Sequence, residues 1–306
     1  MASSSIKNVL VTGANGNVGS STIKALLEEN FSVTGLTRDS SPATLSEGVR
    51  HIKSDYSKAS LVAIFKGQDA VVSTFSSLVP GGALANQQLV IDAAIEAGVK
   101  VFVPSEFGID TADPAAPTYL PFLQDKLDTV AYLKTHEDKI SWIAIPTGSM
   151  FDWNLNIPGF AGWNVPARTA TIYDGGEIPF EATNLDQTGR AVAKSLKHFE
   201  LTKNQYVYAN SFTITQNQVL KALEKATGEK FEVSHGSAEA VWQEGAKPEN
   251  SGQVTGILSL LTGVIYGKGG LSNFSVTKGL WNKKLGLEQE NLDEFLKTYI
   301  AEKKLQ

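Results

Sequence analysis

The sequence predicts an α/β chain: a doubly wound parallel sheet with helices on both faces, joined to a smaller α/β lobe. Three observations carry this expectation. Short β-branched runs alternate with helix-period segments as far as about Pro146, the pattern of successive βαβ units. A glycine-rich turn, TGANGNVG, follows the first run. Past Pro146 the alternation breaks into shorter, less regular segments.

Taken in order, the candidate strands are IKNVLVT, FSVTGLT, VRHIKSD, DAVVSTF, VKVFVPS and ISWIAIP. Their nearly continuous apolar centres fit burial on both faces. STIKALLEEN, KASLVAIFKG and ALANQQLVIDAAIEAG separate them as helices, and FLQDKLDTVAYLK forms another after Pro121. Residues 151–182 are rich in Gly, Pro, Asn and Trp and read as irregular structure with short strands. LDQTGRAVAKSLKHF is then a helix, QYVYAN a strand, and TQNQVLKALEKATG a helix capped by Thr215. A loop, KPENSGQ, precedes an apolar helix from Val254, then GKGG, and LDEFLKTYIAEKK closes the chain as a polar helix. The division expected is residues 1–150 for the sheet domain, with segments near 183–211 returning to it, and 151–306 for the smaller lobe.

Composition narrows the function classes. The 306 residues are 42% hydrophobic and 19% charged, ordinary for a globular protein. Net charge is −5 and no Lys/Arg run forms a nucleic-acid surface. Without cysteine, disulfides, thiolate metal sites and cysteine nucleophiles are excluded. His51, His136, His198 and His235 lack metal-ligand spacing, so no metal site is expected. MASSSIK has no apolar core of a signal peptide, and VTGILSLLTGVIYG is too short and glycine-rich to span a bilayer. The expectation is a cytoplasmic protein, monomer or homodimer, acting on a small-molecule substrate with neither nucleic acid nor membrane as partner.

VTGANGNVG puts Gly13, Gly16 and Gly19 at a strand-to-helix turn, with Asn15, Asn17 and Val18 between them. Glycines let backbone turn tightly and approach a pyrophosphate, while the helix start aims free N–H groups at it. The spacing G-x-x-G-x-x-G after a buried strand predicts an NAD(P)-binding Rossmann fold. The end of the second strand selects the cofactor, an acid favouring the ribose hydroxyl and an arginine the 2′-phosphate. In GLTRDS, Arg38 precedes Asp39, which favours NADPH/NADP over NAD. Asp55, after strand three, suits either an adenine-edge contact or a helix cap. Thr74, Phe75 and Ser76, in STFSS after strand four, should pass near the pyrophosphate and nicotinamide ribose.

VTGANGNVG, LTR, QQLVIDAAIEAGVKVFVPSEFGID and the lysine of FLQDK together resemble the NmrA-like family, in its isoflavone reductase-like branch. The likeness is sharp over residues 6–150 and thin afterwards. PSEFG, residues 104–108, followed at family-like distance by a lysine, is its most specific part. The resemblance implies that Lys126 is the catalytic residue. One departure stands out: relatives often carry a lysine soon after the strand-two arginine, whereas RDSSPATLSEG has Thr44 and none.

Helical spacing puts Lys126 on one face with Phe122, Val130 and Leu133, away from Asp125 and Asp128. Burial there should draw its pKa toward neutrality, fitting it to give or take a proton, or to donate a hydrogen bond to a developing oxyanion. A lysine that merely snorkels to water has the same spacing. Tyr132 is followed at the fourth position by His136 rather than a lysine, and reads as helix packing. Tyr299 and Lys303 do have tyrosine–lysine spacing, on what reads as helix surface. Tyr119 reads as turn packing.

Pro104, Ser105, Glu106 and Phe107 should shape the cofactor wall, with Phe107 also facing substrate, and Pro146, Thr147 and Gly148 end the sixth strand beside it. Phe151 and Trp153 suit either the substrate wall or domain-interface packing, and the Val254 helix with Tyr266 suits either a lid over an apolar substrate or a buried core helix. The reaction expected is NADPH-dependent reduction of a small aromatic or conjugated metabolite. Its rivals are a dinucleotide-sensing regulator without turnover and an NAD(P)H quinone reductase.

Overall fold

A computed structural model describes residues 5–76 and 83–305, side chains of residues 83–85 excepted. Residues 1–4 of the leader reading and Ser77 of STFSS lie outside the described residues. Thirteen strands are described. The first six are β1 (Asn8–Thr12), β2 (Ser32–Arg38), β3 (Arg50–Ser54), β4 (Ala70–Ser73), β5 (Val101–Val103) and β6 (Ser141–Ala144). The short strands β7 (Ser149–Met150), β8 (Trp163–Asn164), β9 (Thr169–Tyr173) and β10 (Phe180–Thr183) come next. They are followed by β11 (Gln205–Tyr206), β12 (Phe212–Ile214) and β13 (Glu232–Gly236).

The main sheet runs β11-β6-β5-β4-β1-β2-β3, and all its pairs are parallel. Strand order reverses between β1 and β4, so a crevice opens at their C-terminal ends. Alternation fixes which side chains go where. Val9, Val11, Val33 and Val72 face a layer made by α1 (Asn17–Glu28) and the Leu185–Lys197 helix. Leu10, Leu36, Val71 and Phe102 face α2 (Lys58–Phe65), α3 (Ala83–Ala97) and the Gln124–Lys134 helix. Strands β4 and β5 are buried throughout, and β1 is buried from Val9 onward, as continuous apolar runs require. The exception is β3, which is only partly buried because it is the sheet edge, with Ser54 its one buried residue.

The chain returns to this sheet after leaving it. β11 extends it beside β6, and the Leu185–Lys197 helix presses so closely on α1 that a Cβ at Gly189 would collide with the Ser21 carbonyl. Two three-stranded sheets, β12-β10-β7 and β13-β9-β8, build the second lobe around Phe151, Phe160, Trp163, Phe212 and Tyr266. Its Gln216–Thr227 helix starts with a reciprocal capping box between Thr215 and Gln218, as the sequence implied. The Val254–Ile265 helix lies against the Ala238–Gly245 helix, where Gly245 and Gly263 leave no room for a Cβ, and Gly256 leaves none beside the Asn250 carbonyl. Its glycines thus serve close helix packing, although Val254 at its start is 59% exposed. Among the described residues no helix is long and apolar enough to cross a membrane.

Candidate active site

The turn after β1 has the form that phosphate chemistry needs. Gly13 has φ of +67°, and a Cβ there would approach Thr74 Oγ1 to 2.8 Å. Gly19 lies over Gly13, and a Cβ on it would collide with the Gly13 carbonyl. α1 begins at Asn17 with Gly16 as its N-cap, so no side chain caps the first turn and no acidic residue occupies it. Free N–H groups and the positive end of the dipole therefore face outward. Thr74 Oγ1 donates to the Thr12 carbonyl at 2.6 Å and ties the end of β4 to this turn.

Gly16, Asn17 and Val18 open onto a cavity of about 400 Å³ that also reaches Thr74, Phe75, Ser76, Ser105, Phe107, Gly108 and Gly148. Its far wall is mostly apolar, with Ile109, Phe122, Leu123, Met150, Trp153, Phe160, Leu261 and Ile265, and the polar pair Ser149 and Asn154 among them. Trp153 meets Phe160 edge to face with ring centroids 5.8 Å apart. Lys126 enters between the two walls. A glycine cradle with an uncapped helix start fits a pyrophosphate, and the apolar continuation fits a nicotinamide and a flat substrate.

A 3₁₀ turn at Pro121–Leu123 sets the start of the Lys126 helix, on which Lys126, Thr129, Val130 and Leu133 are the buried residues. Phe122, predicted on that face, sits in the turn instead and still reaches the cavity. Lys126 is 6% exposed. Its Nζ donates to the Phe107 carbonyl at 3.4 Å, and Gly108 leaves open the space beside it, a Cβ there standing 3.9 Å from Nζ. Burial pulls the Lys126 pKa below the ordinary ammonium value, and the Glu106 carboxylate pulls it back up. The charge acting on it is that of an anion, not of a second cation.

Glu106 differs most from its expected role. It is 0% exposed and turned behind the cavity wall rather than into it. The Thr111 hydroxyl donates to its Oε2, while Oε1 has no hydrogen-bond partner. Burial raises its pKa, opposed by Lys126 and Thr111. Ser105 does form wall: its N–H donates to Gln87 Oε1 at 2.7 Å and its hydroxyl to the Phe75 carbonyl at 2.6 Å. Gln87, a buried residue of α3 that sequence reasoning passed over, also reaches Thr129 on the Lys126 helix at 3.4 Å. Pro104 does not line the cavity, since it is buried at the end of β5.

Other expectations fare unequally. Phe151 is 2% exposed and packs on Phe212 and Phe295, so it is core of the second lobe rather than substrate wall. Tyr266, also 2% exposed, stacks on Tyr173 and donates its hydroxyl to the Ala161 carbonyl at 2.6 Å. Both turn inward because each sits at a helix end packed on the lobe's sheets. Gly148, with φ of +70°, lines the cavity; its N–H and that of Thr147 both donate to the Gly108 carbonyl, bracing the PSEFG segment. Pro146 and Thr147 are buried behind it. Tyr299 is core rather than surface, its hydroxyl 3.2 Å from Asn156. Tyr132 donates to Asp92 at 2.6 Å and Tyr119 packs on Trp242, both outside the cavity lining.

At the cofactor-selecting end, Arg38 is exposed at the tip of β2 and Asn15 exposed in the turn. Asp55 accepts from the Ser57 N–H at 2.9 Å, where Ser57 caps α2, so its carboxylate braces a helix start. Two residues here were missed. Tyr56 adopts φ of +59° and packs on Phe75 at 5.9 Å; burial pushes its phenol up to about 12 against the pull of the Gly13 backbone and Arg38. Lys53 Nζ donates to the Ser41 carbonyl at 2.8 Å, bringing a second cation to the turn after Arg38. Only register could have revealed it, since β3 pairs Lys53 with Thr37.

Comparison with known proteins agrees with this fold. A family model described as the NmrA-like family matches residues 5–296. Oxidoreductase aprR of Aspergillus flavus is 34% identical over 297 residues, covering 95% of this chain and 98% of its own. Isoflavone reductase homolog P3 of Arabidopsis thaliana is 26% identical over 252 residues, covering 74% and 77%. Among solved structures, AtPrR2 with NADP+ and (+)pinoresinol superposes with a TM-score of 0.78 at 23% identity, covering 97% of this chain and 100% of that one.

Proposed function

This chain belongs to the NmrA-like family, isoflavone reductase-like within it, and on that premise we propose an NADPH-dependent reductase of a small aromatic or conjugated metabolite, with Lys126 assisting the proton step. It is an NAD(P)H-dependent oxidoreductase. The observation that carries the reading is a single cavity bounded by the glycine cradle, an apolar aromatic wall and a buried lysine between them. A relative of the same fold binds NADP+ and (+)pinoresinol, and the wall of Phe122, Trp153 and Phe160 suits a flat ligand of that character.

Gly13, Gly16 and Gly19, with the Asn17 start of α1, would hold the pyrophosphate of a bound dinucleotide, and Arg38 and Lys53 would flank its 2′-phosphate. The bound dinucleotide supplies the hydride. Trp153, Phe160, Leu261 and Ile265 hold the substrate and exclude water from the reacting carbon. Lys126 Nζ delivers a proton to the substrate, or donates a hydrogen bond to its developing oxyanion. Phe107 provides the carbonyl that aims this ammonium.

The test is Lys126→Met assayed with NADPH and a panel of aryl enones, imines and benzylic ethers. Turnover should fall by about 10²- to 10⁴-fold, the usual share of a positioned acid or base, while NADPH still binds by fluorescence titration. Unchanged turnover removes Lys126 from the mechanism. Tight NADP binding by the wild-type protein, with no substrate reduced, would favour the sensing role instead.

A further inference from the structure

We propose that Glu106 is the positioning residue of this site: a buried carboxylate that acts through Lys126 and sets the pH range over which the lysine works. The inference rests on Lys126 being the lysine that serves the reductase. Glu106 lies within the same segment, residues 106–108, that hands Lys126 its carbonyl partner at Phe107 and its open space at Gly108. Both side chains are buried, and only Lys126 reaches the cavity. A carboxylate removed from water costs free energy unless paired or hydrogen-bonded. Here one oxygen takes the Thr111 hydroxyl and the other has no hydrogen-bond partner. The charge that compensates the remainder is the Lys126 ammonium, which interacts with it through space.

The surroundings on every side are accounted for. Lys126 is influenced by burial and by Glu106. Glu106 faces Lys126, Thr111 and Asp110, and its charge is also felt by Tyr206 and Tyr208. Asp110 accepts from Tyr208 at 3.0 Å and lies 3.9 Å from the half-exposed Lys278. The buried lysine is thus backed by an acid-and-tyrosine layer that exposed cations touch at Asp110, through Lys278, and at Tyr206, whose ring centroid is 5.9 Å from Lys134 Nζ; among the described residues neither cation makes an ion pair with Glu106. Glu106 therefore holds Lys126 protonated to a higher pH than burial alone would allow.

The sign of the effect does not depend on the chemistry Lys126 performs. As an acid, Lys126 loses activity as pH rises through its pKa; as a base, it gains activity there. In both cases removing Glu106 moves that limb to lower pH. Glu106→Gln keeps the size and removes the charge, so the limb of kcat should move down by about one pH unit or more, with KM for NADPH within about twofold of wild type. The direct readout needs no substrate: the 13Cε resonance of Lys126, assigned by its loss in Lys126→Met, should titrate at correspondingly lower pH in Glu106→Gln. Reciprocally, the Glu106 carboxyl should titrate higher in Lys126→Met, a variant that places an apolar side chain in an apolar site. An unmoved Lys126 midpoint in folded Glu106→Gln, or an unmoved Glu106 midpoint in Lys126→Met, overturns the proposal. The resonance shift can appear in a protein with no reductase turnover, so failure of this inference and failure of the proposed function are separable.

Discussion

The two walls of the cavity are built on opposite terms. One is backbone: Gly16, Asn17 and Val18 at the start of a helix, braced by Thr74 and Ser105. The other is side chain: Phe122, Met150, Trp153, Phe160, Leu261 and Ile265, drawn from segments well apart in the sequence. Backbone recognition restricts residue type severely, because only glycine survives a positive φ with a carbonyl overhead. Apolar recognition restricts it weakly, because many hydrophobic residues fill similar space. The first wall is therefore rigid in sequence and general in ligand, and the second is the reverse.

The sharpest way to break this contrast is Gly19→Ala. Inside an exposed helix that change would ordinarily stabilise by up to about 1 kcal/mol. Here the new Cβ meets the Gly13 carbonyl, so NADPH binding should weaken by about two orders of magnitude or more, read by fluorescence titration. Retained affinity would mean that the cradle can relax and that its glycines are not obligatory.

A paired substitution probes the other wall. Phe151→Ala should cost about 3–5 kcal/mol of stability while leaving the substrate KM of the folded fraction alone. Trp153→Ala, two residues on, should raise substrate KM by about tenfold, as lost apolar contact of 1–3 kcal/mol implies, with little change in Tm. If both behave alike, the lobe's core and its ligand wall are not distinct. The smallest effect is expected at the edge: Arg38→Ala should raise KM for NADPH about tenfold, as befits one charge-assisted hydrogen bond. Lys53→Ala should raise it a few-fold, and neither should alter KM for NADH.

The same contrast explains how much was legible beforehand. The parallel sheet with helices on both faces, the start of α1 near Asn17 and the buried face of the Lys126 helix follow from periodicity and glycine placement, which are local. Phe151, Trp153 and Tyr266 look equivalent in sequence, yet only Trp153 reaches the cavity, since packing against β-strands far along the chain decides the matter. Glu106 was misjudged for a related reason. Alternation beyond the end of β5 no longer holds, so nothing in SEFG says which of Ser105, Glu106 and Phe107 turns inward. Phe122 and Tyr299 were displaced by a 3₁₀ turn and by lobe packing that spacing does not encode.

The closeness of Gly189 to Ser21 has a consequence for how the protein is made. Ile23 and Leu26 of α1 share one core with Ala191, Val192 and Leu196 of the late Leu185–Lys197 helix, and β6 finds its outer neighbour in β11. A chain emerging from the ribosome therefore carries its whole phosphate-binding turn long before the helix that seats α1 exists. Until residues 185–206 have emerged, an apolar helix face and an open strand edge remain uncovered, the features that nascent chains aggregate through. Folding of the nucleotide half should be tied to the late return of the chain, and stalled synthesis intermediates ending near residue 150 should be protease-sensitive, whereas those extending well past residue 206 should not.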